Sequence, residues 1–339
     1  MRAPAFWWRQ RLSLPSILLF PTSFLYGAIA GRRMSLKGEK AALPVICIGN
    51  FTVGGAGKTP TAIAVAELLA ASGEFPVFLS RGYGGSESGP LQVGPQHSSV
   101  EIGDEPLLLA ATAPVIVSRH RPSGARLALE TGATAIVMDD GLQNPSLAKD
   151  CAIAVVDGAT GIGNGLTIPS GPLRAPMAAQ WAAIDAVVVI GEGGAGDRVA
   201  REAERHGKKV FAGRLVPDEA SLPALRQSDV LAFAGIGRPE KFFETLRGAG
   251  IRVAETRSFP DHHVYSTTEI DDLMRIARER DLTLVTTEKD MARLSGAGGK
   301  TPWQGIETLG VRLEIDDTES LRNLLARRIA ERRTGVRSG

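Results

Sequence analysis

The stretch Thr52-Val53-Gly54-Gly55-Ala56-Gly57-Lys58-Thr59 carries the residue types needed to hold a phosphate chain. Glycines let successive backbone N–H groups turn inward around phosphate oxygens, and a helix starting at the lysine adds positive potential. In this pattern the lysine reaches the β- and γ-phosphates and the next hydroxyl meets magnesium. Lys58 and Thr59 take those roles, and Thr52, Val53, Gly54, Gly55, Ala56 and Gly57 are expected to complete a site for ATP with Mg2+. The usual pattern places a glycine six residues before the lysine, where this chain has Thr52, so Gly54 and Gly55 are expected to supply the turn. A second stretch, Ile136-Val137-Met138-Asp139-Asp140-Gly141, is an apolar run ending in two carboxylates. That is the pattern that holds magnesium, directly or through water, beside such a loop.

Two more stretches hold titratable groups, Gly103-Asp104-Glu105-Pro106 and Asp261-His262-His263. Taken alone, they read as ordinary structure. An acid pair just ahead of a proline suits a helix N-terminus, and paired histidines suit a surface or structural place.

The elements that must position these groups follow from periodicity. Residues 44–49 form a short continuous apolar run, of the kind buried on both faces in a parallel sheet. Residues 59–72 are Ala-rich with apolar residues at helical spacing, closed by Gly73. Further strands are expected at 76–80, 114–117, 134–138, 151–156 and 185–190, with helices at 105–111 and 121–131 between them. After a glycine-rich break at 191–196 come Val210-Phe211-Ala212 and a polar stretch from 217 to 229. A second series then begins: strand 230–235, helix 239–249, strand 251–254, helix 267–280, strand 282–286.

Strands alternating with helices imply an α/β protein, a P-loop NTPase-like doubly wound parallel sheet with a second, smaller α/β domain. The expected division is 1–34 as an N-terminal membrane-associating segment, 35–225 as the P-loop kinase domain, and 226–339 as a C-terminal α/β domain contributing to the active site.

Composition narrows the function classes. The 339 residues include 39 Lys and Arg against 37 Asp and Glu, a net charge of +2. That lacks the basic excess of a nucleic-acid binder, so no nucleic-acid partner is expected, and no obligatory protein partner is inferred. Cys47 and Cys151 sit in or beside apolar runs and read as reduced, small hydrophobes. No zinc spacing or disulfide framework is visible, which fits a cytoplasmic compartment.

Residues 12–31 contain no charge, and they lie between Arg9 and Arg11 on one side and Arg32 and Arg33 on the other, with Trp7 and Trp8 at one edge. Twenty such residues can just span a bilayer. However, Pro15 and Pro21 interrupt the run and Ser and Thr dilute it. Basic flanks with interfacial tryptophans suit an apolar helix lying in the membrane surface. A spanning anchor and a merely buried helix stay open at this point. A cleaved signal peptide does not suit a cytoplasmic nucleotide site downstream.

The same residues resemble one family, the tetraacyldisaccharide 4′-kinases of the lipid A pathway. The resemblance rests on residues 49–60 around the loop, Ser80-Arg81-Gly82-Tyr83-Gly84-Gly85, residues 103–106, and Asp139-Asp140-Gly141-Leu142-Gln143. It continues through Val156-Asp157-Gly158, Gly163-Asn164-Gly165, Gly171-Pro172-Leu173-Arg174 and residues 232–237. It ends with Asp261-His262-His263-Val264-Tyr265 and Thr286-Thr287-Glu288-Lys289-Asp290. The resemblance covers nearly the whole chain and includes its apolar amino terminus.

It implies that ATP phosphorylates the 4′-hydroxyl of tetraacyldisaccharide 1-phosphate, a lipid A precursor, to form lipid IVA. The site would work at the cytoplasmic face of the inner membrane. By the same resemblance Asp104 takes the sugar proton and His262 orients or assists it. Glu105, Asp139 and Asp140 lie around the metal and nucleotide, and Tyr83 and Arg174 lie near the site. The family often has His where this chain has Asn144, and commonly Glu where it has Ala175, so the resemblance carries no side-chain role over to either position. The competing class is a P-loop ATPase acting as a nucleotide-driven switch on a protein partner. It leaves the Asp-His-His stretch and the apolar amino terminus unexplained.

Overall fold

The computed structural model describes residues 3–9, 11–295 and 303–335. The outermost residues of the expected first and last segments, 1–2 and 336–339, lie outside the described residues.

Seven strands run parallel at the centre: β1 (Val45–Asn50), β2 (Pro76–Ser80), β4 (Val115–Val117), β5 (Ala135–Asp139), β6 (Cys151–Asp157), β7 (Ala186–Ile190) and β8 (Lys209–Pro217). Short β3 (Leu91–Gln92) and late β13 (Val311–Ile315) add antiparallel edges. The order across this nine-stranded sheet is β13-β8-β7-β6-β1-β5-β2-β4-β3.

Side chains alternate between sheet faces, and here both faces are covered. Val45, Cys47, Leu79, Ile136 and Met138 pack on one side with Ala125 and Ala128 of α5 (Arg121–Glu130), Trp181 of α6 (Met177–Ala182) and Val199 of α7 (Gly194–Arg205). Ile46, Ile48, Phe78, Val137 and Ile153 face the other way. They meet Ala62, Val65 and Leu69 of α2 (Lys58–Ala71) and Leu321, Leu324, Leu325 and Ile329 of α12 (Thr318–Thr334). Two covered faces are why β1 reads as an unbroken apolar run rather than an alternating one.

A second, all-parallel sheet has the order β10-β9-β11-β12, built from β9 (Val230–Ala234), β10 (Val253–Ser258), β11 (Thr283–Thr287) and β12 (Ile306–Leu309). It carries α8 (Leu222–Leu225), α9 (Pro239–Gly248), α10 (Thr267–Glu279) and α11 (Glu288–Leu294).

The expected partition needs correction at its end. The chain leaves the large sheet through β8 and returns through β13, whose Val311 pairs with Pro217. α12 then buries its leucines on the large sheet beside α2. Residues 311–334 therefore belong with the first sheet, not with a C-terminal domain 226–339. The small body also starts earlier than 226, because Leu222 and Leu225 already lie in its core.

The apolar amino-terminal run forms one helix, α1 (Leu14–Met34). Pro15 sits in its first turn, where a missing N–H costs nothing, and the helix continues through Pro21 without ending. Ser16, Ser23 and Gly27 form a buried seam along it. The Ser23 hydroxyl donates to the Thr167 carbonyl at 2.7 Å, and the Thr167 hydroxyl donates back to the Ser23 carbonyl at 2.9 Å. The opposite side, Leu14, Ile17, Leu18, Phe24, Leu25 and Ile29, faces outward.

Candidate active site

β1 delivers the chain into the loop at Thr52 and α2 takes it up again at Lys58. Gly57 caps the helix in the left-handed region at φ 91°, and a Cβ there would sit 2.6 Å from Ile190, so only glycine fits. Gly54 is also left-handed. The loop is tied to the segment 172–174: the Val53 N–H donates to the Pro172 carbonyl at 2.9 Å, and Arg174 Nε donates to the Thr52 carbonyl at 3.0 Å. Thr52, in the usual glycine place, is thus a buried strut whose carbonyl serves Arg174.

Behind the loop lie two glutamines. Gln143 Nε2 donates to the Asn50 carbonyl and to Gln180 Oε1, both at 2.8 Å. Fully buried Gln180 donates to the Ala175 carbonyl at 2.8 Å. Ala175 therefore contributes its backbone. Asn144 accepts from the Ser146 N–H and hydroxyl as a turn residue.

The two carboxylates at the end of β5 differ sharply. Asp140, left-handed at φ 48°, pairs with Arg174 at 2.7 Å and Lys58 at 3.7 Å. Burial works against its charge, but these cations hold it below the usual carboxylate range. Asp139 is 1% exposed, and neither of its carboxylate oxygens has a hydrogen-bond partner. Burial, then Glu105 and Asp140, push its pKa up to about 7. Beneath it, fully buried Arg121 donates Nη2 to the Asp139 carbonyl at 3.1 Å.

Asp104 and Glu105 open α4 (Asp104–Leu109), which packs on α2 and follows α3 (Ser99–Ile102). Gly103 brings the chain in at φ 86°, where a Cβ would stand 2.4 Å from the Tyr83 carbonyl. That close approach sets the Tyr83 loop against the start of α4. From the small body, His262 arrives in a left-handed turn at φ 56°, its N–H donating to the Gly235 carbonyl. Its Nδ1 lies 3.6 Å from Asp104 Oδ2, longer than a hydrogen bond but close enough for strong electrostatic contact. The Tyr83 and His262 rings meet edge-on at 5.6 Å.

The same body sends α11 into this corner. Lys289 Nζ donates to Glu105 at 2.8 Å, and Arg293 Nε donates to Asp104 Oδ2 at 3.0 Å. Burial opposes ionisation of Asp104, yet His262, Arg293 and Lys289 hold its carboxyl well below the usual range. Contact with Asp104 raises the pKa of His262 against the opposing effect of burial. Glu105 is likewise held low against burial, by Lys289 and Lys58. On the other flank of the loop, Asp157 at the end of β6 pairs with Arg238 at 2.9 Å and Lys241 at 3.0 Å, from the start of α9. The small body therefore straddles the loop.

All of the site residues expected from the sequence come together at this end of the large sheet, where open α/β sheets bind ligands. Lys289, Arg293 and Arg121 were not expected. Lys289 lies within Thr286-Thr287-Glu288-Lys289-Asp290 and Arg121 at a helix start, but only the fold shows their partners.

The chemistry of the donor set suits magnesium. Among the described residues no three His, Cys, Asp or Glu side chains form a metal cluster. Magnesium with a nucleotide needs only one or two carboxylates, because phosphates and water complete its shell. The buried, unpartnered Asp139, within electrostatic reach of Lys58 and Glu105, meets that need.

A phosphate loop, an unpartnered carboxylate at the next strand end and an acid–histidine contact from a second body define a P-loop phosphotransferase. A sequence model described as tetraacyldisaccharide-1-P 4′-kinase matches residues 15–330. A tetraacyldisaccharide 4′-kinase of Methylobacterium nodulans is 58% identical over 302 residues, 89% of this chain and 90% of its own. One from Bradyrhizobium sp. strain BTAi1 is 52% identical over 337 residues, 98% of this chain and 97% of its own. A crystal structure of LpxK from Aquifex aeolicus in complex with ATP superposes with a TM-score of 0.74 at 29% identity, covering 93% of this chain and 99% of that one. The chain belongs to the tetraacyldisaccharide 4′-kinase family. That membership decides for a phosphotransferase over a nucleotide switch.

Proposed function

We propose that this protein transfers the terminal phosphate of ATP to the 4′-hydroxyl of tetraacyldisaccharide 1-phosphate, at the cytoplasmic surface of the inner membrane. The observation that carries the proposal is the meeting of Asp104, from the phosphate-loop body, with His262, from the small body, at 3.6 Å. Phosphate gripping alone needs no such pair; a hydroxyl nucleophile does.

Lys58 and the N–H groups of residues 54–59 bind the phosphate chain, and Arg174 braces the loop while neutralising Asp140. Asp139, with the Thr59 hydroxyl and Glu105 or Asp140, would hold magnesium. Bound there, the ion supplies positive charge to the β- and γ-phosphate oxygens. The sugar oxygen forms its bond to Pγ as the bond from Pγ to the bridging oxygen breaks and ADP leaves. The hydroxyl proton passes to the Asp104 carboxylate, oriented by His262. A low carboxyl pKa is tolerable here, because a loose phosphoryl transition state asks for little prior deprotonation.

α1 supports the membrane part of the proposal. It is long and apolar enough to cross a bilayer. Its Ser16, Ser23 and Gly27 seam, the Ser23–Thr167 bonds and the Tyr26 hydroxyl on the Arg174 carbonyl fasten it lengthwise to the kinase body. A helix so fastened lies in the interface with its apolar side in lipid. A four-chain lipid substrate then need only offer its sugar headgroup.

The test is transfer of labelled phosphate from ATP to tetraacyldisaccharide 1-phosphate in detergent micelles. Asp104→Ala and His262→Ala should each lower turnover by roughly 100-fold or more, with ATP affinity largely kept. Lipid-independent hydrolysis without labelled lipid, or near-normal turnover in both variants, would sink the proposal.

A further inference from the structure

Arg293 stands between two buried carboxylates, one in each body. It donates Nη1 to Asp290 Oδ1 on its own helix at 2.8 Å and to the Gly235 carbonyl just after β9 at 2.7 Å. Asp290 is fully buried and is itself fixed by the Gly235 N–H at 3.1 Å and the Thr287 hydroxyl at 2.7 Å. Two donors, Nε and Nη2, remain and both grip Asp104 Oδ2. Nη2 also lies 3.4 Å from His262 Nδ1. Arg293 is 9% exposed.

We propose that Arg293 is a positioning residue for phosphoryl transfer: it fixes the orientation of Asp104 and holds it beside His262. The acid–histidine pair is then complete only while α11 is seated against α4. The proposal rests on the roles given to Asp104 and His262 above.

Three features support it. The Gly235 carbonyl accepts from both Arg293 Nη1 and the His262 N–H, at 2.7 and 3.1 Å, so a single atom registers both residues. A guanidinium fork is rigid and always charged, so its direction is set once Asp290 holds the other end. Lys289 and Arg293 are four residues apart and share a helix face, and they meet the adjacent Glu105 and Asp104. The result is a two-point clamp on the start of α4. An arginine on a proton acceptor lowers its basicity, so the clamp contributes direction: the acceptor must stand within hydrogen-bond reach of the hydroxyl.

The experiment uses the full-length protein in the micelle assay, comparing Arg293→Gln, Arg293→Lys, Asp104→Ala and the Asp104→Ala/Arg293→Gln double variant. Gln keeps a donor for the Gly235 carbonyl but loses the charged fork. Arg293→Gln should lower kcat roughly 10- to 100-fold, the worth of a lost charge-assisted contact, while KM for ATP stays within about twofold. Arg293→Lys should recover part of that loss and still fall short of wild type, by about threefold or more. In the Asp104→Ala background, Arg293→Gln should remove almost no further rate. A folded Arg293→Gln protein with wild-type kcat, or one whose full loss adds to that of Asp104→Ala, overturns the proposal. Should Arg293→Gln fail to fold, wild-type kcat in Arg293→Lys overturns it instead. Near-normal turnover in Asp104→Ala is a different result, because it removes the acid–histidine roles themselves.

Discussion

Replacing Asp139 by Asn should stabilise the nucleotide-free protein and at the same time disable it. In the wild type the carboxylate is 1% exposed and its two oxygens have no partners. Burial, with Glu105 and Asp140 adding repulsion, moves its pKa from 3.8 to about 7. The folded state therefore keeps a proton that the unfolded chain releases near pH 3.9. Where the native state binds more protons, stability falls as pH rises. The fall starts above the unfolded pKa and is complete once pH passes the folded value. About three pH units at 1.36 kcal/mol each set a ceiling of about 4 kcal/mol, and local relaxation leaves about 2 kcal/mol as the expected size. Asn carries no charge, so Asp139→Asn should match the wild type near pH 4 and exceed it by that amount at pH 8 in EDTA, read by urea unfolding. Magnesium with ATP should reverse the order, since a ligand at 100 times its Kd stabilises by about 2.7 kcal/mol and the variant lacks the carboxylate that would help hold it. Turnover should drop roughly 100-fold or more. An Asn variant less stable than wild type at pH 8 in EDTA would refute the reasoning, because Asp139 would then have a partner worth keeping.

Three other outcomes are expected. Gln180→Leu strands the Ala175 carbonyl and removes the Oε1 acceptor from Gln143, so it should cost about 1–3 kcal/mol in urea unfolding and raise KM for ATP; a loss below about 0.5 kcal/mol would show that the loop has no need of this brace. Phe24→Asp with Leu25→Asp places two charges on the outward side of α1, which should greatly reduce co-sedimentation with phospholipid vesicles while ATP binding stays intact; unchanged sedimentation counts against the interfacial helix. Cys47, buried and pushed up to about 11 by that burial, should react with a thiol reagent only after unfolding, as should buried Cys151; fast native labelling of either would contradict the packing of the sheet.

What the sequence revealed depends on how far apart the cooperating residues lie. The phosphate loop is eight contiguous residues whose function needs only a strand before and a helix after, so its chemistry was legible at once. The Asp139-Asp140 pair was legible as a pair. Its asymmetry, with one carboxylate neutralised by Arg174 and Lys58 and the other unpartnered, depends on a segment more than 30 residues away. Asp104 and His262 gained their roles only from the family resemblance, because each taken locally is an ordinary cap or surface residue. Lys289 and Arg293 act across separations of 184 and 189 residues, and a basic residue on a short helix leaves no local trace of such a partner. The same limit hid the return of β13 and α12: α12 has its leucines at helical spacing, but nothing in that spacing says which sheet it will cover.

The amino-terminal helix was legible in its residues but not in what they do there. Pro21 and the scattered Ser and Thr were read as interruptions that weaken an apolar run. In the structure Ser16 and Ser23, with Gly27, are the docking seam, and small residues are what let a helix backbone approach its neighbour closely. A Cβ on Gly27 would stand 3.0 Å from the Thr167 hydroxyl, so the space is already used. The polar dilution of the apolar run therefore comes from the contacts that dock the helix on the protein. They divide α1 into a side that packs on the protein and an apolar side left exposed. That division bears on catalysis as well. Tyr26 bonds to the carbonyl of Arg174, and Arg174 braces the phosphate loop and neutralises Asp140, so α1 and the phosphate loop are only one residue apart.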